Sequence, residues 1–313
     1  MIKEEFYFDS RDGENRIHAV RYTPDDGKVK AVVQVVHGMA EYVERYEELA
    51  KYLTDRGILV TGEDHLGHGK SVAEGGTFGY FCEQDPATVV VRDVHRLKKI
   101  TEEQYPQVPY IILGHSMGSF IARNYLCRYG SGIGGAVIVG TGMQSTGLIF
   151  ASKAMAGIQK LFCGSKHVSH FIDKAAFGGY NKRIDSPRTS SDWLSRNTEN
   201  VDRYIEDELC GFTFTVNGFQ TLFELIRRLQ KQENLEKVPQ NLPILMVSGA
   251  EDPVGDYGKG VHKACDSLKR AGVKNITVKL YENDRHELLN EDDAETAMED
   301  IWQWICREIP GIA

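Results

Sequence analysis

The chain has 313 residues, with 37 Lys and Arg against 45 Asp and Glu, a formal net charge of −8 at pH 7. At roughly 150 residues per domain, that length allows about two folding units, or one large core carrying an insertion. The acidic balance excludes a protein that holds nucleic acid through a basic surface, and a hydrophobic content of 41% excludes a disordered chain.

No apolar run approaches the roughly 18 residues needed to span a bilayer. The opening Met1-Ile2-Lys3-Glu4-Glu5-Phe6 carries charges of both signs, unlike the basic start and apolar stretch of a secretory signal. Cys82, Cys127, Cys163, Cys210, Cys265 and Cys306 form no C-x-x-C pair, the pattern of free thiols in a reducing compartment. A soluble, cytoplasmic protein is expected.

In chain order, Phe6, Phe8, Ile17, Ala19 and Arg21 read as a hairpin turning at Arg11-Asp12-Gly13. Apolar, β-branched strands follow at 31–36, 58–61, 110–113 and 136–139, alternating with helical patterns at 46–55, 87–104 and 119–128. Their near-continuous hydrophobicity suits strands covered on both faces, and the alternation builds a mostly parallel sheet flanked by helices. The rhythm resumes with strands at 244–247 and 277–280 and helices at 258–271 and 293–307.

Between the two blocks lie helical patterns at 147–160 and 219–228 and a polar stretch at 181–200, with no strand of comparable quality. The expectation is one α/β core, 1–140 and 240–313, interrupted by a helical cap, 141–239. Phe212, Phe214, Phe219, Leu222, Phe223, Ile226 and Leu229 give the insertion an apolar face. That face packs on the core, lines an apolar pocket or touches a membrane. Leu148, Ile149 and Phe150 suggest weak membrane contact.

The strongest chemical signal is Gly114-His115-Ser116-Met117-Gly118, placed directly after one strand and before a helix. A nucleophile at such a turn takes a strained backbone and needs small neighbours two residues to either side. Its hydroxyl then faces the crevice at the carboxyl ends of the strands. A serine needs a histidine base, and that base a carboxylate to orient it.

Asp252 and His286 follow the two late strands in the order this topology requires. Glu251, Asp256 and Asp284 are rival acids, and His262, within a predicted helix, is a rival base. The oxyanion of acyl transfer needs two N–H donors. Those of Met117 and of Met39, after the turn at His37-Gly38, are the candidates.

Gly130 to Gly135 matches G-x-G-x-x-G but follows a helix and precedes a strand, the reverse of a dinucleotide site. The pairs His65/His68 and His167/His170 lack attendant ligands at metal spacing. No cofactor, no metal and no nucleic-acid partner is expected.

With these residues placed, the chain resembles the α/β-hydrolase superfamily, in the serine hydrolase branch that includes monoacylglycerol lipases and lysophospholipases. The resemblance is carried by His37-Gly38-Met39, Glu41 and Arg45-Tyr46, by Asp64-His65-Leu66-Gly67-His68-Gly69-Lys70-Ser71, by residues 113–118, and by the segments around Asp252 and His286. It implies Ser116 as nucleophile, His286 as general base and acid, Asp252 as the orienting carboxylate, and the Met39 and Met117 N–H groups as the oxyanion hole. It further implies a cap that covers the site and selects acyl chains.

Two positions depart from that pattern: Met39-Ala40-Glu41-Tyr42 replaces a small residue followed by Gly-Glu-His, and Ser119 stands where a second glycine is usual. Both put bulk beside the nucleophile. The expected activity is hydrolysis of a small-molecule carboxylic ester through an acyl-serine, on monoesters such as monoacylglycerols or lysophospholipids. A peptidase or amide hydrolase on the same triad, and a non-catalytic ligand-binding protein on this scaffold, are the alternatives.

Overall fold

The computed structural model describes residues 1–312. Its strands β1 (Ile2–Asp9), β2 (Arg16–Thr23), β3 (Ala31–Val36), β4 (Ile58–Glu63), β5 (Tyr110–His115), β6 (Gly135–Val139), β7 (Ile244–Gly249) and β8 (Ile276–Tyr281) form one eight-stranded sheet. The order is β1-β2-β4-β3-β5-β6-β7-β8. β1 and β2 are an antiparallel hairpin, β2 pairs antiparallel with β4, and every later pairing is parallel. The Asp12 carboxylate closes the hairpin turn by accepting the N–H groups of Glu14 and Asn15.

Every residue of β3 to β7 is buried, which explains why their sequences run apolar without alternating. The helices α1 (Glu47–Thr54), α2 (Pro86–Gln104), α3 (Met117–Tyr129), α4 (Thr146–Cys163), α5 (His170–Phe177), α6 (Thr198–Glu206), α7 (Val216–Leu229), α8 (Gln232–Leu235), α9 (Lys259–Arg270) and α10 (Ala294–Glu308) supply that cover. Val33, Val35, Ile111, Leu113 and Val247 share a core cluster with Leu49 and Leu53 of α1 and Ile301 and Trp304 of α10. Val32, Ile112, Ile138 and Met246 point the other way, to Val94 of α2, Ile121 of α3 and Val261 of α9. The period-2 alternation of the strands thus sorts one hydrophobic run into two cores.

The chain leaves β3 for β4 on one side and passes to β5 on the other, so the strand order reverses between β3 and β5. The crevice beyond their carboxyl ends, where His37 and Ser116 follow, is the place for a ligand site in an open α/β sheet.

Residues 140–243 join β6 to β7 and carry α4 to α8. Four of these helices start on side-chain caps: Ser145, Ser169, Asn197 and Thr215 each accept a backbone N–H from three residues ahead. α6 extends from within the polar stretch, which masked it because it buries only Asn200 and Val201. The single β contact in the insertion is the bridge between Val168 and Thr215.

The apolar face of α7 packs inward: Phe219, Leu222, Phe223, Ile226 and Leu229 join the core cluster that covers one side of the sheet. α4 is the opposite case, with Leu161 83% and Phe162 85% exposed. Leu148 and Phe150 also face outward, while Ile149 is buried. No helix among the described residues is long and apolar enough to cross a membrane.

Candidate active site

Ser116 sits between the end of β5 and the start of α3 with φ 54° and ψ −121°. That is left-handed backbone for a residue with a side chain, a strain of about 1–3 kcal/mol. The surroundings hold it there. Its N–H donates to the Val139 carbonyl at 3.0 Å, and its carbonyl accepts the Ser119 N–H at 2.9 Å. The helix can approach β3 only because Gly118 lacks a side chain, since a Cβ there would lie 1.9 Å from the Val36 carbonyl oxygen. A Cβ on Gly114 would lie 2.5 Å from the Gly118 carbonyl oxygen. The Met117 N–H, at the first position of α3, belongs to the helix-start donors that have no intrahelical acceptor.

Asp252 follows β7 and is fully buried. One carboxylate oxygen accepts the Val254 N–H at 2.8 Å. The other meets the Ser248 hydroxyl at 3.1 Å and His286 Nδ1 at 3.0 Å. A carboxylate only accepts, so His286 carries its proton on Nδ1 and leaves Nε2 with a free lone pair. The His286 carbonyl meets His115 Nε2 at 3.2 Å, and the two rings lie 4.8 Å apart, which ties His286 to the residue preceding Ser116. No hydrogen bond joins the Ser116 hydroxyl to His286 among the described residues; such contacts commonly tighten only on substrate binding.

The rivals lie elsewhere. Glu251 and Asp256 are exposed, His262 is exposed on α9, and Asp284 is paired with Arg196.

On the other side of Ser116, Gly38 comes so close that a Cβ there would be 3.0 Å from the Ser116 Cβ. His37 Nδ1 donates to the Gly38 carbonyl at 2.8 Å, and its Nε2 accepts the His65 N–H at 3.0 Å, which fixes both the tautomer and the plane of the Gly38–Met39 peptide. His65 and His68, weighed above as ligands, instead pack their rings around His37. Burial lowers all three imidazoles, His68 to about 3, so they are neutral at physiological pH. Ser119 is completely buried, and its hydroxyl turns back to the Ser116 carbonyl, so its bulk falls on the backbone of Ser116.

Sequence reasoning gave no role to a buried charge network around this turn. Glu41 accepts the Gly38 N–H at 2.5 Å and the Tyr46 hydroxyl at 2.8 Å, and meets His115 Nδ1 at 3.2 Å. Arg45 bridges Glu41 at 3.0 Å and holds Glu287 through two bonds of 2.6 and 2.8 Å. Asn200 of α6 donates to the same Glu287 carboxylate at 2.6 Å.

Burial penalises every one of these charges. It is outweighed at Glu41 by the hydrogen bond and charge of His115 and the charge of Arg45, and at Glu287 by Arg45, so both carboxyls stay below the usual range. His115 is held above its usual value, burial notwithstanding, by Glu41. The available signals were the Glu41/Arg45 spacing of four and the adjacency of Glu287 to His286.

The insertion reaches over His286. The Trp193 ring lies 5.1 Å from that of His286 and is itself met edge-on by Tyr180 at 4.8 Å. Its loop is latched down where Arg285 donates to the carbonyls of Asp192 and Ser195, and the Glu287 N–H to that of Leu194.

A serine at a strained strand-to-helix turn, a buried Asp–His pair on later loops and this strand order together define an α/β-hydrolase fold. The comparisons agree. The profile of the serine aminopeptidase S33 family (Hydrolase_4) matches residues 27–293, and the chain belongs to that family. It is 29% identical over 293 residues to monoglyceride lipase of Mus musculus, covering 92% of this chain and 86% of that one. A thermostable carboxyl esterase from Bacillus coagulans, solved with glycerol, superposes with a TM-score of 0.91 at 31% identity over 99% of both chains. A lipase solved in an open form follows at 0.87 and 28% identity, over 98% of this chain and 99% of that one.

Proposed function

We propose that the protein is a serine-dependent carboxylic ester hydrolase working through an acyl-serine, on lipid-like monoesters such as monoacylglycerols or lysophospholipids. One observation carries the reading: Ser116, held at φ 54°, directly follows His115, whose ring lies 4.8 Å from that of His286, the partner of Asp252. His286 Nε2 takes the Ser116 proton as the hydroxyl attacks the ester carbonyl, and Asp252 stabilises the imidazolium. The Met39 and Met117 N–H groups receive the oxyanion. His286 returns the proton to the leaving alcohol, and water repeats the sequence to release the acid. The cycle closes with water alone and calls for no cofactor or metal.

The relatives named monoglyceride lipase, carboxyl esterase and lipase support ester over amide chemistry, although the family carries the name of an aminopeptidase. Residues 141–239 act in this reading as a cap over a core of 1–140 and 240–313, with Trp193 closing on His286. The exposed apolar side of α4 offers weak contact with a lipid surface.

The test is turnover of p-nitrophenyl esters from about C2 to C16 by the wild type and Ser116→Ala. The variant should lose at least about a thousandfold in kcat with its melting temperature kept. Retained turnover would sink the assignment, and an optimum at C2 to C4 would remove the lipid substrates while leaving the esterase. Preferential cleavage of aminoacyl anilides would favour the peptidase alternative.

A further inference from the structure

Against the backbone of Ser116 lies a second polar group that the mechanism above does not use. Arg123 of α3 is 1% exposed, and among the described residues its Nε and Nη2 have no hydrogen-bond partner and no carboxylate pairs with it. Burial lowers the guanidinium only to about 10, so it stays charged at neutral pH. Its Nη1 donates to the Gly142 carbonyl at 3.0 Å and to the Thr141 hydroxyl at 3.3 Å. Thr141 and Ser119 hydroxyls lie 2.8 Å apart, and the Ser119 hydroxyl lies 2.6 Å from the Ser116 carbonyl oxygen. All three side chains are buried.

Elementary chemistry fixes the direction of this chain. The Ser116 carbonyl can only accept, so the single Ser119 hydroxyl proton goes to it. The contact between the two hydroxyls must then be donated by Thr141, and Thr141 accepts from the cation. Every proton points from Arg123 toward Ser116. The carbonyl at the end belongs to the Ser116–Met117 peptide, and in a trans peptide the N–H points opposite to the carbonyl. The donor at the far end is the Met117 N–H.

We propose that Arg123, Thr141 and Ser119 form a one-way hydrogen-bond relay that polarises the Ser116–Met117 peptide and strengthens the Met117 N–H as an oxyanion donor. It rests on the serine-hydrolase reading and adds to it three positioning residues, none of which touches substrate. Donors in series polarise one another, by about 10–30% per bond. A positive charge without a counter-ion in a low-dielectric interior adds to the field along the same line. The relay also gives a reason for a serine at 119, where a glycine would leave the chain open between Thr141 and the backbone. Loss of the Ser119 hydroxyl leaves the Ser116 carbonyl its bond from the backbone N–H of residue 119, so the turn keeps its shape.

The test uses the full chain with Ser119→Ala and Thr141→Val, singly and together, on a soluble p-nitrophenyl ester. The same proteins are titrated with an aryl trifluoromethyl ketone, whose adduct places an oxyanion in the hole. Each single variant should lose about fivefold in kcat, the size expected from a fractional weakening of one oxyanion donor. Affinity for the ketone should fall in parallel, with KM unchanged. The double variant should be no worse than the poorer single, because the residues act in series, and Thr141→Ser, which keeps the hydroxyl, should restore wild-type values.

Unchanged kcat, losses that multiply in the double variant, or a loss that tracks melting temperature and not ketone affinity would each overturn the relay. A wild type that neither turns over the ester nor binds the ketone would overturn the serine-hydrolase reading, and the relay with it.

Discussion

The loops at the carboxyl ends of the strands and the outer helix α4 treat burial in opposite ways. The loops hide Glu41, Asp252, His286 and Glu287 almost completely, each on a defined partner. α4 leaves Leu148, Phe150, Ile158, Leu161 and Phe162 facing out. A buried charge is tolerated only where hydrogen bonds hold it in one geometry, so the first region is rigid by necessity. An exposed apolar face fixes nothing in place and suits a surface that meets an apolar partner. Under the proposed function, the first region would carry the chemistry and the second would meet the substrate.

The strongest way to break that contrast is through the acid. Asp252→Asn keeps the shape but lets the side chain favour the wrong His286 tautomer, and kcat on a short ester should fall by about ten-thousandfold. A fall below about tenfold would move the acid elsewhere, with Asp284 the first alternative to test.

Next comes the buried network. Arg45→Met leaves Glu287 without its cation and Glu41 with His115 alone, and breaking a buried pair by removing one partner costs about 3–5 kcal/mol in urea unfolding. The pH dependence sharpens the point. Both carboxyls are held below their usual values in the folded state, so the stability they contribute is complete above about pH 4.5 and drains away as pH falls below it. In Arg45→Met that depression is relieved at Glu287 and lessened at Glu41, which keeps His115, and the gap between variant and wild type should narrow from pH 6 to pH 3. A constant gap would show that Arg45 acts through packing alone.

The smallest effect concerns the outer helix. Leu161→Ser with Phe162→Ser should reduce sedimentation with neutral phospholipid vesicles, shift stability by less than about 0.5 kcal/mol, and leave turnover of a soluble acetate ester unchanged. Equal sedimentation would remove the lipid-surface role of α4 and leave the site untouched.

The legibility of the sequence follows the same division. The apolar run bounds β3 at Ala31 and Val36 despite Gln34, and places the other core strands within a residue or two, because strands buried on both faces are mostly apolar; the polar Glu63, His115 and Ser248 lie at the strand ends, where the bounds differ. Ser116 was visible because the turn demands glycine at 114 and 118, a constraint that acts between neighbours in the chain.

The network of Glu41, Arg45, Glu287 and Asn200 was not visible as a unit. Its partners stand up to 242 residues apart, and no periodicity links Arg45 to Glu287. α6 was missed because a nine-residue helix with two buried side chains carries almost no apolar signal, although Asn197 marked its start. Trp193 read as part of a polar loop; only the latch through Arg285 and Glu287 sets it over His286.

The central claim is that Ser116 is an activated nucleophile. Incubation with a fluorophosphonate, followed by peptide mass analysis, tests it most directly, since only a serine with a working base reacts at an appreciable rate. One adduct is expected, on the peptide holding Ser116, absent from Ser116→Ala and formed far more slowly in His286→Gln. No adduct, or an adduct on another residue, would contradict it.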